Sequence, residues 1–183
     1  MLVGKRGAFG APRGIEIDDE GRLYIADAEE HKVWVLDSFT GELLFEIGGF
    51  GAQPGRFDEP FDVALGPGRM ILVADAGNAR VDAFNRLGSF LFSFDGAARG
   101  VAPFRRPTAI ACDPRGLFFV ADPPAGRVVV TDPRGVPLGE ISGAGLKTPV
   151  GLAFDGETTL FVSDAESNEV RSFRVILDEA AGD

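Results

Sequence analysis

Carboxylates are the most regularly placed chemical groups in this chain. Asp27, Asp75, Asp122 and Asp164 each close an apolar run: YIAD, LVAD, FVAD and FVSD. Two further acids, Glu16 and Asp62, open another set of short apolar runs. His31 is the single histidine and Cys112 the single cysteine. A recurring carboxylate can ligate a cation, exchange a proton or fasten a turn. Which of these applies depends on the elements that carry it.

Those elements repeat. A first landmark is F/L-x-x-P: FGAP at 9–12, FDEP at 57–60, FRRP at 104–107 and LKTP at 146–149. The recurring Asp is a second. From copy to copy both landmarks advance by 48, 47 and 42 residues, so they keep one register. After each Pro comes a short strand-like run (GIEID, DVALG, AIACD, GLAFD), then a Gly-containing turn, then the strand ending in Asp. Six residues past that Asp stands Val33, Val81, Val128 or Val170, opening a third strand. The first three copies add a fourth: LLFEIG, FLFSFDG and PLGEISG. Short strands with frequent turns, in units of this length and without a 3.6-residue period, predict radial four-stranded blades. The expected fold is all-β, a β-propeller of four-stranded antiparallel blades in a single domain. Its repeats span roughly 9–56, 57–103, 104–145 and 146–177, followed by an acidic tail at 178–183.

The pattern G-x-F-x-x-P, then V-A-D-x-x-N-x-R-V-x-x-F, then G-x-F resembles the NHL repeat of β-propellers. Residues 55–94 match it almost throughout, and the other copies match at the F/L-x-x-P, the Asp and the Val. The resemblance implies a propeller that typically has six blades, so four repeats make either a closed four-blade ring or an arc of a larger one. The fourth copy stops after its third strand, and MLVGKRG occupies the register of FEIGGFG. Residues 1–4 are therefore expected as a lone outer strand, able to complete the last blade and close the ring.

On this architecture the four Asp residues cannot share an ion. Hard cations need oxygens at roughly 2.3–2.6 Å, and second strands on different blades lie a strand spacing, about 4.8 Å, outward from the innermost ones. The expected role is structural: each Asp accepts backbone N–H groups two or three residues on and stabilises its turn. Lys32, Arg80 or Arg127, five residues later, can add an ion pair, whereas the fourth copy has Glu169.

Alternation assigns the innermost strands two sides. Ile15 and Ile17, Val63 and Leu65, Ile110 and Cys112, Leu152 and Phe154 are expected as blade-to-blade core. The other side is small (Gly14, Ala64, Ala109, Ala111, Gly151, Ala153), except for Glu16 and Asp62. Acids there need water, a cation or a basic partner. They are the candidate axial site for Ca²⁺ or another divalent cation, with solvation in the central channel as the simpler account.

Charge is sorted along the repeat. The inter-blade segments hold Lys5, Arg6, Arg13, Arg56, Arg99, Arg105, Arg106 and Lys147 against Asp58, Glu59 and Asp95, a local +5 that leaves −15 for the rest of a chain of net charge −10. These segments emerge on one face of a propeller. Arg13, Arg56, Arg105 and Arg106, with His31 at the rim, are the expected binding face, and its potential suits an acidic protein or peptide.

Composition narrows the function classes. The chain is acidic overall and lacks a basic nucleic-acid footprint. A lone Cys112 in an apolar run excludes an intrachain disulfide and a Cys-based metal site, and reads as a buried, inert thiol. One histidine excludes a several-His metal centre, so the chain departs there from NHL-like lyases that act on amidating peptides. No G-x-S-x-G or phosphate-cradling G-x-x-x-x-G-K occurs. No apolar stretch nears the roughly 20 residues of a membrane span. MLVGKRGAFG has no apolar signal region, which leads to the expectation of a cytoplasmic protein, or an extracytoplasmic one if the chain belongs to a longer polypeptide. The favoured reading is a non-catalytic scaffold that binds a protein or peptide and needs no cofactor, with self-association as a route to a complete ring. The alternatives are a metal-dependent hydrolase, lactonase or lyase using Glu16 and Asp62, and an RNA-binding NHL-like domain.

Overall fold

A computed structural model of the 183-residue chain describes residues 9–97 and 100–176. Apolar residues alternating with period two, interrupted by Asp- and Gly-rich turns, build fifteen strands in four antiparallel meanders. Blade 1 holds β1 (Pro12–Ile17), β2 (Arg22–Asp27), β3 (Lys32–Asp37) and β4 (Leu43–Gly48). Blade 2 holds β5 (Pro60–Gly66), β6 (Met70–Asp75), β7 (Arg80–Phe84) and β8 (Phe90–Phe94). Blade 3 holds β9 (Ala109–Cys112), β10 (Phe118–Asp122), β11 (Arg127–Thr131) and β12 (Pro137–Ser142). Blade 4 has three strands among the described residues: β13 (Pro149–Phe154), β14 (Thr159–Asp164) and β15 (Glu169–Arg174). The fold is an all-β propeller of four blades. The strand expected at residues 1–4 and the tail at 178–183 lie outside the described residues. None of the described helices is long and apolar enough to cross a membrane.

The turn between second and third strands has the same geometry in every blade. Its last residue, four past the recurring Asp, is left-handed: His31 (φ 52), Ala79 (φ 53), Gly126 (φ 63) and Asn168 (φ 56). Only one of the four is the glycine that this conformation favours.

Blades stack through apolar seams. Tyr24, Ala26, Val33 and Val35 of blade 1 meet Val63, Ile71, Val73 and Phe84 of blade 2. Leu72, Ala74 and Val81 of blade 2 meet Ile110, Phe118 and Val120 of blade 3. Phe119, Ala121 and Val128 of blade 3 meet Leu160 and Val162 of blade 4. The F/L of three F/L-x-x-P copies plugs a seam: Phe57, Phe104 and Leu146 are buried, whereas Phe9 is half-buried against the Trp34 ring. Both faces of the inner blades are therefore core, including the small side that carries Ala64 and Ala109.

The expectation for the first strand needs correction. Ile15 and Ile17 are 64% and 53% exposed, although their counterpart Val63 is 2% exposed. Side-chain pattern makes a face apolar, but only a neighbouring blade buries it. Among the described residues no seam joins blade 4 to blade 1, and the four blades stack as an arc.

Candidate binding site

The recurring Asp residues build the loop face. Asp27 accepts the N–H of Gly10 at 2.9 Å and of Ala11 at 2.8 Å, together with Glu30 N–H and the Trp34 indole N–H. Asp75 accepts Asp58 N–H at 2.8 Å and the Asn78 amide at 2.7 Å. Asp122 accepts the N–H of Arg105 and of Arg106. Asp164 accepts the N–H of Lys147 at 2.7 Å, Thr148 at 2.9 Å and Ser167 at 2.9 Å. The donors sixteen or seventeen residues earlier are both x residues of F/L-x-x-P in blades 1, 3 and 4, and the first x alone, Asp58, in blade 2. The carboxylate thus ties the inter-blade loop to the second strand, in addition to closing its own turn. Burial by itself would raise the Asp27 pKa, but these donors outweigh it and hold the group below its ordinary value. Asp164 is held down in the same way. Asp75 goes the other way: burial dominates the bonds from Asn78 and Asp58.

Basic residues at the start of third strands hold the same loops. Arg80 donates to the carbonyls of Ala52, Gln53 and Arg56, and pairs with Asp75 at 3.3 Å. Arg127, buried, donates to the carbonyls of Ala102 and Pro103 and pairs with Asp122 and Glu140. Sequence reasoning found the ion pair to Asp at Arg80 and Arg127 but missed the loop carbonyls, and Lys32, expected to pair with Asp27, pairs with Glu46 at 2.9 Å instead.

On the loops so fixed, the residue after each anchor Pro faces the mouth of the central channel. Arg13, Phe61, Thr108 and Val150, one from each blade, line a cavity of about 460 Å³. Three of these positions sit at a register shift of the first strand, which is how a bulge re-aims a side chain. Arg13 stacks its guanidinium 4.9 Å above the Phe61 ring. The mouth continues into a cleft of about 340 Å³ between blades 1 and 2, lined by Arg13, Glu29, His31, Glu59, Phe61 and Arg106.

The structure brings Arg13, His31 and Arg106 of the expected face into that cleft. It uses the others elsewhere: Arg56 caps the Gly48 carbonyl at 2.8 Å and Arg105 the Pro124 carbonyl at 3.0 Å. His31 Nδ1 accepts the Glu59 N–H at 3.1 Å, and its ring meets Phe50 edge-on at 4.8 Å. Arg106 pairs with Glu59, and this hydrogen bond and charge lower the Glu59 pKa. Phe61, Thr108 and Val150 were missed from sequence. The available signal was a position beside an invariant Pro whose own type changes in every copy.

Glu16 and Asp62 each hold backbone N–H groups. Asp62 Oδ1 accepts Val63 N–H at 2.9 Å, and Oδ2 accepts Ile110 N–H at 2.9 Å, clipping blade 2 to blade 3. Glu16 Oε1 accepts Ile17 N–H. Burial, against those N–H bonds and helped by the Glu16 charge, pushes Asp62 up to about 6. No cluster of three or more His, Cys, Asp or Glu side chains suited to a metal occurs among the described residues.

No family model matches the chain. It is 30% identical to peptidylglycine alpha-amidating monooxygenase of Rattus norvegicus over 66% of its own length. With NHL repeat-containing protein 3 of Mus musculus it shares 27% identity over 61%. It spans 13% of the first relative and 32% of the second. Among solved structures, Kuenenia stuttgartiensis hydrazine synthase superposes on 91% of this chain with TM-score 0.64 and 17% identity, using 50% of its own chain. That likeness concerns the fold. Four blades on one tandem repeat, with its Pro and Asp landmarks and weak NHL-type relatives, support an NHL-like family of β-propellers for this chain.

Proposed function

We propose that this chain is a non-catalytic binding module that takes an acidic peptide segment of a partner protein across its loop face. The observation that carries this reading is the convergence of Arg13, Phe61, Thr108 and Val150 on the channel mouth, continuous with the cleft holding Arg106. Arg13 makes no ion pair among the described residues, so its charge is available to a ligand carboxylate beside the Phe61 face. Anchors of this type, an aromatic and an arginine in a concave site, dominate the energetics of recognition.

The test is selection from a displayed peptide library on the 183-residue chain, followed by affinity measurement on the selected sequences. Enriched peptides should be acidic. Arg13→Ala and Phe61→Ala should each weaken binding by about tenfold or more, and Arg134→Ala, on the opposite face, should leave it unchanged. Affinity indifferent to both substitutions overturns the reading. So does salt-sensitive binding of single-stranded RNA in place of peptide, which would favour a nucleic-acid ligand.

A second reading, an enzyme with an axial cation, is favoured by the position of Asp62 at the channel mouth and by a relative named as a monooxygenase. It requires a divalent ion retained by the purified chain and released by Asp62→Ala.

A further inference from the structure

Equivalent positions of the repeat have the same environment except at the two ends of the arc. Three residues before the recurring Asp stand Tyr24, Leu72 and Phe119, all fully buried, and Phe161, 40% exposed. Six residues after it, Val33, Val81 and Val128 are fully buried, and Val170 is 70% exposed. Three residues past the anchor Pro, Val63 and Ile110 are buried, whereas Ile15 is 64% exposed. Blade 4 therefore presents the face that blades 1, 2 and 3 each press onto their successor. Blade 1 presents the face that blades 2, 3 and 4 each press onto their predecessor. The two free surfaces are the halves of one more seam.

A third unpaired feature adjoins them. β15 is an edge strand among the described residues, and beside it runs an apolar groove of about 530 Å³ lined by Leu117, Phe119, Val130, Ile141, Phe173 and Val175. In blade 2 the strand paired to the third strand places Phe90 against the preceding seam. The groove marks where a fourth strand of blade 4 belongs.

We propose that a second copy of this chain covers both free faces. Blade 1 of each copy stacks on blade 4 of the other about a two-fold axis along the channel. The commitment to a second copy rests on continuity with the three internal seams. A head-to-tail contact that uses two unlike faces closes only when its rotation does, and two copies leave no face free.

The test is the mass of the 183-residue chain in solution, measured by light scattering across concentration. The expected result is a species of twice 19.4 kDa. Ile15→Arg and Phe161→Glu should each raise the dimer dissociation constant by about a hundredfold, with strand content and melting retained. Mixing the two variants should restore a heterodimer, because one seam is then native and the other pairs Arg with Glu. A monomer at every concentration overturns the proposal. So does an open-ended series of larger species, a dimer insensitive to both substitutions, or variants that stay monomeric when mixed.

Discussion

Asp27 and Ala11 are joined by a 2.8 Å bond from the Ala11 N–H to the Asp27 carboxylate, across sixteen residues of sequence. The bond has counterparts at Arg106 and Thr148 in blades 3 and 4; in blade 2 the equivalent N–H, that of Glu59, goes to His31 Nδ1, and Asp58 one residue earlier holds Asp75. This tie explains why Pro and Asp landmarks advance together. The loop that carries the Pro is fastened to the strand that ends in Asp, so neither can shift alone. Because this loop face also carries the residues lining the channel mouth, the carboxylates fix the backbone on which those residues sit.

Removing such a carboxylate strands several buried donors. Asp27→Ala is expected to destabilise the fold by about 3 kcal/mol, given roughly 1 kcal/mol or more for each bond lost to a charged acceptor. Asp19→Ala, which loses only an exposed pair with Arg69, should cost less than about 1 kcal/mol. Equilibrium urea unfolding of both variants checks the contrast. Equal costs would remove the structural role.

Gly14 of blade 1 lies against Asp62 of blade 2. A Cβ there would sit 1.8 Å from Asp62 Oδ1 and 2.7 Å from Asp62 Cα, so moving the side chain alone cannot relieve it. Gly14→Ala is expected to destabilise by about 2 kcal/mol or more through overpacking. Gly139→Ala, with open space around its added methyl, should be neutral or slightly stabilising. Thermal melts of the pair distinguish crowding from a general effect of losing glycine.

Asp82 is fully buried, and burial, only partly offset by Arg80 at 2.9 Å, pushes it up to about 7. A folded-state pKa above the unfolded 3.8 means the folded state binds the proton more tightly. The stability this contributes is complete below about pH 4 and is lost as pH rises through about 7, on the order of 3 kcal/mol in all. Asp27 and Asp164, held low, act in the opposite sense and lose their contribution as pH falls below about 4. Asp82→Asn should therefore gain on the wild type between pH 4 and 8 while keeping its acid limb. Denaturation midpoints across pH give the answer, and parallel curves would contradict it.

Cys112 has its thiol pushed up to about 12 by burial and by the neighbouring Asp113 charge. At pH 8 almost none of it is thiolate. Labelling by a disulfide reagent should be slower than in denaturant by more than about a hundredfold. Rapid labelling of the folded chain would show an accessible, activated thiol instead.

The strands were legible because their signals are local. Period-two alternation, turn residues and the Asp-to-Val spacing all act within a few residues. The partners of the Asp carboxylates were only half legible: Glu30 and Ser167 lie three residues on, but the stronger tie runs back to the preceding loop. Arg56 and Arg105 looked like surface charge, yet each caps a carbonyl whose position depends on how its loop folds. Phe61, Thr108 and Val150 escaped notice because their shared feature is a direction in space, set by a bulge, and not a shared residue type.

By itself, the sequence determined that four copies of one sheet-forming unit occur in tandem, which residues turn and which alternate, and that a carboxylate recurs in step with a proline. Hydrogen bonding and sterics along a short stretch of backbone suffice for that. Only the tertiary structure decided which apolar faces are buried. Ile15 and Val63 occupy the same position of the same repeat, and one is exposed while the other is core. Burial belongs to the surface that packs against a residue, and at the ends of the arc no blade of this chain supplies that surface among the described residues.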